Sequence, residues 1–262
     1  FRGFSMKILS TYLFLFWTIS FFCYGATFSR DVLFQYSTIN ALGEGVYSGE
    51  QTFRELKKYG DFGIGTFNDL DGEMIGIDGK FYQIKGDGTV CPVPDKTKTP
   101  FAMVTFFEVD KTVDVRDTKN FAQLTQYLDS IIPTKNIFYA IKIHGVFRYV
   151  KTRSVFSQAK PYPKLVDALK NQSVFEFNNV EGTIVGFRCP DYASGVNVSG
   201  YHFHFITKDR KAGGHLLECD MQDAKIQIDY TTSFYMVLPA GTDFYNINIL
   251  LDKQKELEKV EK

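Results

Sequence analysis

Gly200-Tyr201-His202-Phe203-His204-Phe205-Ile206-Thr207, followed after a short polar run by Gly213-Gly214-His215, holds three of the four histidines of the chain within sixteen residues. The first part is aromatic and β-branched, which predicts a strand. Side chains two apart on a strand share a face. His202 and His204 therefore look one way, and Tyr201, Phe203 and Phe205 the other. Lys208 to Gly214 is polar and ends in Gly-Gly, the signature of a hairpin loop. If the hairpin closes symmetrically, His215 lands opposite His204, with Cβ atoms about 4.5–5.5 Å apart. Three imidazoles then converge on one point. Such a set holds a metal through three nitrogens and leaves a coordination position open, as in a catalytic rather than a structural zinc site. Cys219 shares the strand parity of His215 and is a candidate fourth ligand, but an open three-histidine set is complete without it.

Outward from this stretch, composition describes an ordinary globular protein. Of 262 residues, 44% are hydrophobic and 23% charged, enough for a sizeable core in one large or two small domains. Aromatics reach 16%, with 26 Phe and 15 Tyr against one Trp, which favours sheets. Thirty basic residues balance thirty acidic ones. No basic excess points to nucleic acid or an anionic membrane, so the expected partner is a small molecule.

Residues 1–26 read as a signal peptide with its upstream residues. Met6-Lys7 starts a run, Ile8 to Phe22, that is almost entirely apolar, and Cys23-Tyr24-Gly25-Ala26 follows. The run is shorter than the ~20 residues of a spanning helix. Cleavage after Gly25 or Ala26 is expected, giving a secreted or periplasmic protein without a stable membrane span. Cys91, Cys189 and Cys219 then remain; the odd count and irregular spacing make no disulfide framework, and no pairing is specified.

The middle of the chain alternates short strands with turns. Val32 to Ser37 reads as a strand and Thr38 to Gly45 as a loop. Thr52 caps a short helix whose Phe53 and Leu56 face the core. A meander follows, with turns at Asp71-Gly72, Asp78-Gly79 and Asp87-Gly88. Glu73, taken alone, reads as a solvated strand end. Asn120 starts an amphipathic helix bearing Phe121, Leu124, Leu128 and Ile131 on one face. Asn136 to Val150 is a long strand. Its His144, remote from the cluster, reads as a hydrogen-bonded sheet histidine. Pro161-Tyr162-Pro163 marks a break. Strands are expected at Val174–Phe177, Gly182–Cys189, Val198–Thr207, His215–Asp220, Ala224–Ile228 and Phe234–Leu238. A charged tail closes the chain. The expected division is 27–160, a mixed-sheet N-terminal domain, and 161–262, a metal-binding β-rich domain with its tail.

Several stretches together resemble one family. They are Gly60-Asp61-Phe62-Gly63-x-Gly65-Thr66-Phe67 with Leu70-Asp71-Gly72-Glu73-Met74; Asn136-Ile137-x-Tyr139-Ala140, leading to Val150-x-Thr152-Arg153-Ser154; Gly186-Phe187-Arg188-x-Pro190; and the histidine stretch itself. The chain is similar to alpha-acetolactate decarboxylases over nearly everything after residue 26. The resemblance implies an α/β (α+β) fold, with a mixed β-sheet in the N-terminal part and a smaller β-rich C-terminal part carrying the metal site. It implies a homodimer. It implies zinc-dependent decarboxylation of (S)-2-acetolactate to (R)-acetoin and CO₂. The family's metal ligands fall on His202, His204 and His215, its substrate-binding arginine on Arg153, its catalytic glutamate on Glu73, and a site threonine on Thr66. A C-terminal glutamate that reaches the family's site matches Glu261, within a run that also holds Glu256 and Glu258.

This chemistry suits those residues. A 2-hydroxy-3-oxo acid loses CO₂ when a Lewis acid draws electrons into the neighbouring ketone, and zinc does so without redox change. An arginine fork matches a planar carboxylate. A glutamic acid can protonate the resulting enediolate. Two other functions share the histidine set: a secreted zinc hydrolase using metal-bound hydroxide, and a non-catalytic metal-binding module.

Overall fold

The computed structural model describes residues 30–116 and 119–249. The expected signal peptide and Glu261 lie outside them. Among the described residues no helix is long and apolar enough to cross a membrane.

In chain order the strands begin with β1 (Val32–Tyr36), β2 (Gln51–Thr52), β3 (Phe62–Thr66), β4 (Glu73–Ile77) and β5 (Lys80–Ile84). They continue with β6 (Val90–Pro92), β7 (Lys98–Thr99), β8 (Ala102–Thr105), β9 (Lys111–Val115) and β10 (Lys119–Asn120). The last are β11 (Phe138–Ser154), β12 (Ser173–Cys189), β13 (Gly200–Thr207), β14 (Gly213–Thr231) and β15 (Ser233–Val237). The helices used below are α1 (Ile39–Gly43), α2 (Phe53–Leu56), α3 (Phe121–Ile131) and α4 (Leu165–Ala168).

Seven strands form the first sheet, in the order β15-β1-β8-β3-β4-β5-β6. β1 and β15 run parallel and the other neighbours antiparallel, so the sheet is mixed. The second sheet is antiparallel and closes on itself. β11 pairs with β12, β12 with β13, β13 with the start of β14, and β14 with β11. Closure removes two edges and encloses a core of its own. Phe147, Phe203, Phe205 and Leu216 fill that core, and the Phe147 and Phe205 rings meet edge-on at 5.4 Å. Leu124 and Leu128 of α3 pack into the same core. A second core lies between the sheets and includes Ile64, Ile75, Phe101, Val185, Phe187 and Ile206. Ile206 and Phe205 are adjacent in sequence but belong to different cores, as strand alternation requires.

Local sequence explains most elements. Thr52 and Glu55 form a reciprocal capping box on α2, and Asn120 and Gln123 form another on α3. Gly72, Gly79 and Gly88 take positive φ in the three Asp-Gly turns. His144, as expected, is a surface sheet residue, with Nδ1 3.1 Å from the Thr183 hydroxyl.

Other expectations are corrected. Thr38 to Gly45 is not a plain loop: Thr38 caps α1 by accepting from the Ala41 N–H. The strand pairs expected at 174–189 and 215–228 are single strands of 17 and 19 residues. In β14, register shifts against β11 absorb the polar interruption.

Sheet membership does not change over at residue 160. β9, β10 and β11 belong to the second sheet, and β15 returns from the far end of the chain to pair with β1. A long strand cannot leave its sheet without orphaning its backbone groups, so pairing rather than the Pro161 break decides which sheet each strand joins.

Candidate metal centre

The three histidines meet where the closed sheet faces the mixed sheet. β13 places His202 and His204 outward because Phe203 and Phe205 point into the closed core. The register pairs His204 directly with His215, as the hairpin reading expected. Their rings lie 5.0–5.3 Å apart, centroid to centroid. One ligating atom from each lies within 4.8 Å of the others. His202 Nε2 and His215 Nδ1 are 3.3 Å apart. A tetrahedral ion with Zn–N bonds of about 2.0–2.1 Å spaces its nitrogens by about 3.3 Å.

Cys219 is not part of the group. Between Arg153↔His215 and Val150↔Cys219 the register shifts by one residue, so that Lys151 pairs with Glu218 and Thr152 with Leu216. Leu217 is the extra residue of this bulge, and it reverses the parity of everything after it. Cys219 therefore turns into the closed core, and burial pushes its thiol up to about 12. Cys91, Cys189 and Cys219 are all free thiols.

The hairpin needs its glycines. A Cβ on Gly214, whose φ is +143°, would stand 2.4 Å from the Arg153 carbonyl oxygen. The bare backbone lets β14 lie against β11 and sets Arg153 beside His215. The Thr152 hydroxyl fastens the same turn by donating to the Gly213 carbonyl at 3.0 Å.

All three imidazoles are buried, at 5%, 1% and 1% exposure for His202, His204 and His215. Burial, with the Arg153 charge nearby, lowers the His202 imidazole to about 3. Burial first, then the charges of His202 and Arg153, holds His204 well below the usual range. Both are neutral at pH 7, as ligation requires. His204 Nδ1 lies 2.8 Å from the Met74 carbonyl oxygen. That contact fixes Nδ1 as the N–H donor and leaves Nε2 free to ligate. The donor set therefore fits a divalent metal ion with nitrogen preference.

The mixed sheet brings the other side chains to the triad. Glu73 opens β4 directly before Met74, and it is 7% exposed rather than solvated. Its Oε2 lies 3.6 Å from His204 Nε2 and its Oε1 3.3 Å from Arg153 Nη1. Arg153, near the end of β11, is buried. Thr66 pairs with Glu73 across β3 and β4, and its hydroxyl donates to the Gly72 carbonyl at 2.7 Å. One pocket takes in His202, His204, His215, Glu73, Arg153 and Thr66 and encloses about 380 Å³, part of it open to solvent. Six of the seven expected site residues thus meet; Glu261 lies outside the described residues.

Sequence reading missed two contributors. The Met74 carbonyl is a backbone group with no residue signature. The apolar wall, made by Ile39 and Leu42 of α1 with Leu165 of α4 and Leu169 just after it, comes from short elements distant in the chain. Thr38 as an N-cap was the available signal for α1.

A family model described as "Alpha-acetolactate decarboxylase" matches residues 33–250. A protein of that description from Methanosarcina mazei is 53% identical over 234 residues, 89% of this chain and 81% of its own. One from Bacillus subtilis strain 168 is 45% identical over 232 residues, 87% of this chain and 90% of its own. The crystal structure of the alpha-acetolactate decarboxylase from Bacillus subtilis strain 168 superposes with a TM-score of 0.86 at 44% identity, covering 88% of this chain and 99% of that one.

Proposed function

The chain belongs to the alpha-acetolactate decarboxylase family, and from that premise we propose that it converts (S)-2-acetolactate to (R)-acetoin and CO₂ in the pocket between its two sheets. As a member of that family it is a carboxy-lyase. The observation that carries the reading is the meeting of a metal-fitting histidine triad, an arginine and a glutamate in one apolar-walled pocket.

His202, His204 and His215 would hold a zinc ion. When bound, zinc supplies a Lewis acid that takes up electron density from the substrate ketone. Three neutral imidazoles leave the charge of the ion undiminished. The Met74 carbonyl keeps His204 in the ligating tautomer.

Arg153 holds the substrate carboxylate. Its planar fork donates to two carboxylate oxygens, and Nη1 already reaches Glu73, so a carboxylate on the remaining N–H groups lies beside Glu73. Loss of CO₂ leaves an enediolate that needs one proton on carbon. Glu73, which takes up one proton from solvent per turnover, delivers it and is left as the carboxylate paired with Arg153. Its carboxyl is fixed on one side of the pocket by Arg153, so only one face is protonated and one hand of acetoin forms.

Thr66 spends its hydroxyl proton on the Gly72 carbonyl. Toward the pocket it presents lone pairs, suited to accept from the substrate hydroxyl. The leucine and isoleucine wall takes the two methyl groups. Glu261 acts from the tail. In support, Asn40 of α1 donates to the carbonyl of Ile249, the last described residue, at 3.3 Å. The last described residue thus lies against a helix that walls the pocket. Homodimer formation and export after removal of residues 1–26 complete the reading.

The test is to incubate the purified protein with racemic acetolactate and to follow acetoin. Acetoin is expected from the wild type and not from His204→Ala. Hydrolysis of a separately supplied test ester, with no acetoin from acetolactate, would instead identify a zinc hydrolase.

A further inference from the structure

The turn that joins Thr66 to Glu73 has an unusual backbone. Asp69 (φ 62°) and Leu70 (φ 55°) are successive non-glycine residues in the left-handed region. Such residues persist only where surrounding contacts impose them. The consequence here is that Leu70, itself buried, lines the pocket with Thr66 and Glu73.

The contacts that impose it come from outside the turn. The Asp69 N–H donates to the Tyr47 carbonyl at 2.9 Å, and the Asp69 carbonyl accepts from the Gln158 N–H at 2.7 Å. Asn68 exchanges two hydrogen bonds with the Gly49 backbone, at 2.9 and 3.0 Å. The only side-chain bond to Asp69 among the described contacts comes from the Tyr162 hydroxyl. The Tyr162 ring packs on Tyr47 at 5.2 Å. Ser48 Oγ lies 3.3 Å from the Tyr162 oxygen, placed to donate to it. Tyr162 also lies three residues before α4, whose Leu165 faces the pocket. The hydroxyl–carboxylate bond therefore joins two walls of one pocket: the β3–β4 turn with Leu70, and the segment that leads into Leu165 and Leu169.

We infer that Tyr162 is a positioning residue for the decarboxylation, acting through Asp69 to hold Leu70 and the leucines of the α4 segment at the spacing that fits the small C2 substituent of acetolactate. This rests on the proposed pocket being the site of turnover. Tyr162 touches none of the groups assigned to chemistry. Its loss loosens the fit of substrate and leaves the metal ligands in place.

The experiment compares steady-state kinetics of wild type, Tyr162→Phe, Asp69→Ala, the double variant that combines these two, and Asp69→Asn. The substrates are acetolactate and its homologue with ethyl in place of the C2 methyl, and metal content is measured in parallel. Tyr162→Phe keeps the ring on Tyr47 and removes only the hydroxyl. It is expected to raise KM for acetolactate about tenfold, with full metal content, and to shift the kcat/KM ratio toward the ethyl homologue. Asp69→Ala should do the same, the double variant no more, and Asp69→Asn, which keeps an acceptor oxygen, should stay close to wild type. A role in folding alone would lower Tm and leave the substrate ratio unmoved, which would overturn the inference, as would a Tyr162→Phe KM and ratio within about twofold of wild type. His202→Ala in the same assay separates the two levels: if it retained turnover, the pocket assignment itself would fall and this inference with it.

Discussion

Glu73 Oε2 stands 3.6 Å from His204 Nε2, although the two side chains come from different sheets. The contact is held from both sides. His204 is anchored to the carbonyl of Met74, the residue after Glu73, and Glu73 is anchored to Arg153, the neighbour of His215. Each sheet thus positions the reactive groups of the other, and the site exists only where the two meet.

Replacing His202, His204 or His215 by Ala should remove the bound metal and the decarboxylation together. Metal analysis of the purified variants, set beside acetoin yield, checks this. A variant without metal that keeps the full rate would show that the triad is not the catalytic centre.

Arg153→Ala should leave the metal stoichiometry intact. Removing one partner of a buried charged contact costs about 2–5 kcal/mol, so kcat/KM for acetolactate should fall by that equivalent. An unchanged kcat/KM would exclude Arg153 as the carboxylate clamp.

Glu73→Gln keeps the shape and the contact with Arg153 but has no proton to deliver. A fall in kcat of roughly 100-fold or more is expected, with KM little changed and metal retained. Chiral analysis of the residual acetoin should show loss of handedness, because solvent would then supply the proton. Acetoin of unchanged handedness formed at the wild-type rate would remove Glu73 from the reaction.

Asp229, 1% exposed on β14, should give the protein a pH-dependent stability. Burial pushes its carboxyl from 3.8 up to about 7; the Asp110, Asp31 and Glu108 carboxylates add to this, and the Glu108 backbone N–H works against it. Between about pH 4 and pH 7 the folded carboxyl keeps a proton that the unfolded chain has released. Raising the pH through that window therefore lowers stability, and above it the loss is complete. Asp229→Asn should be more stable than wild type at about pH 8, on the order of 2 kcal/mol, and nearly equal to it at about pH 4. Denaturant melts at the two pH values check this; equal gains at both would mean that the carboxylate charge is not the cause.

Truncation after Lys259 isolates the tail. If Glu261 reaches the pocket, kcat falls while the metal remains; an unaltered rate would mean that the tail takes no part.

Much of the site was legible because strand parity is strict. His202, His204 and the intervening Phe203 assigned the faces of β13, and the Gly213-Gly214 turn set His215 opposite His204. The same parity failed for Cys219, because the bulge at Leu217 has no local signature: it arises from pairing with Lys151 and Thr152, distant in the chain. Glu73 read alone as a solvated strand end, since its burial depends on a second sheet that its own neighbours do not announce. Sheet membership was hidden for a related reason. Pro161 marks a break in the chain, but long-range pairing decides which sheet a strand joins, and β15 returns to β1 from the opposite end of the sequence.

The most direct test is acetoin formation from racemic acetolactate by the purified protein before and after metal is stripped with a chelator and then restored as zinc. Acetoin should form, stop when the metal is removed, and resume on addition of one equivalent of zinc per chain in the wild type but not in His204→Ala. Undiminished acetoin formation by wild-type protein shown to be free of metal would contradict the assignment of His202, His204 and His215 as the centre of the reaction.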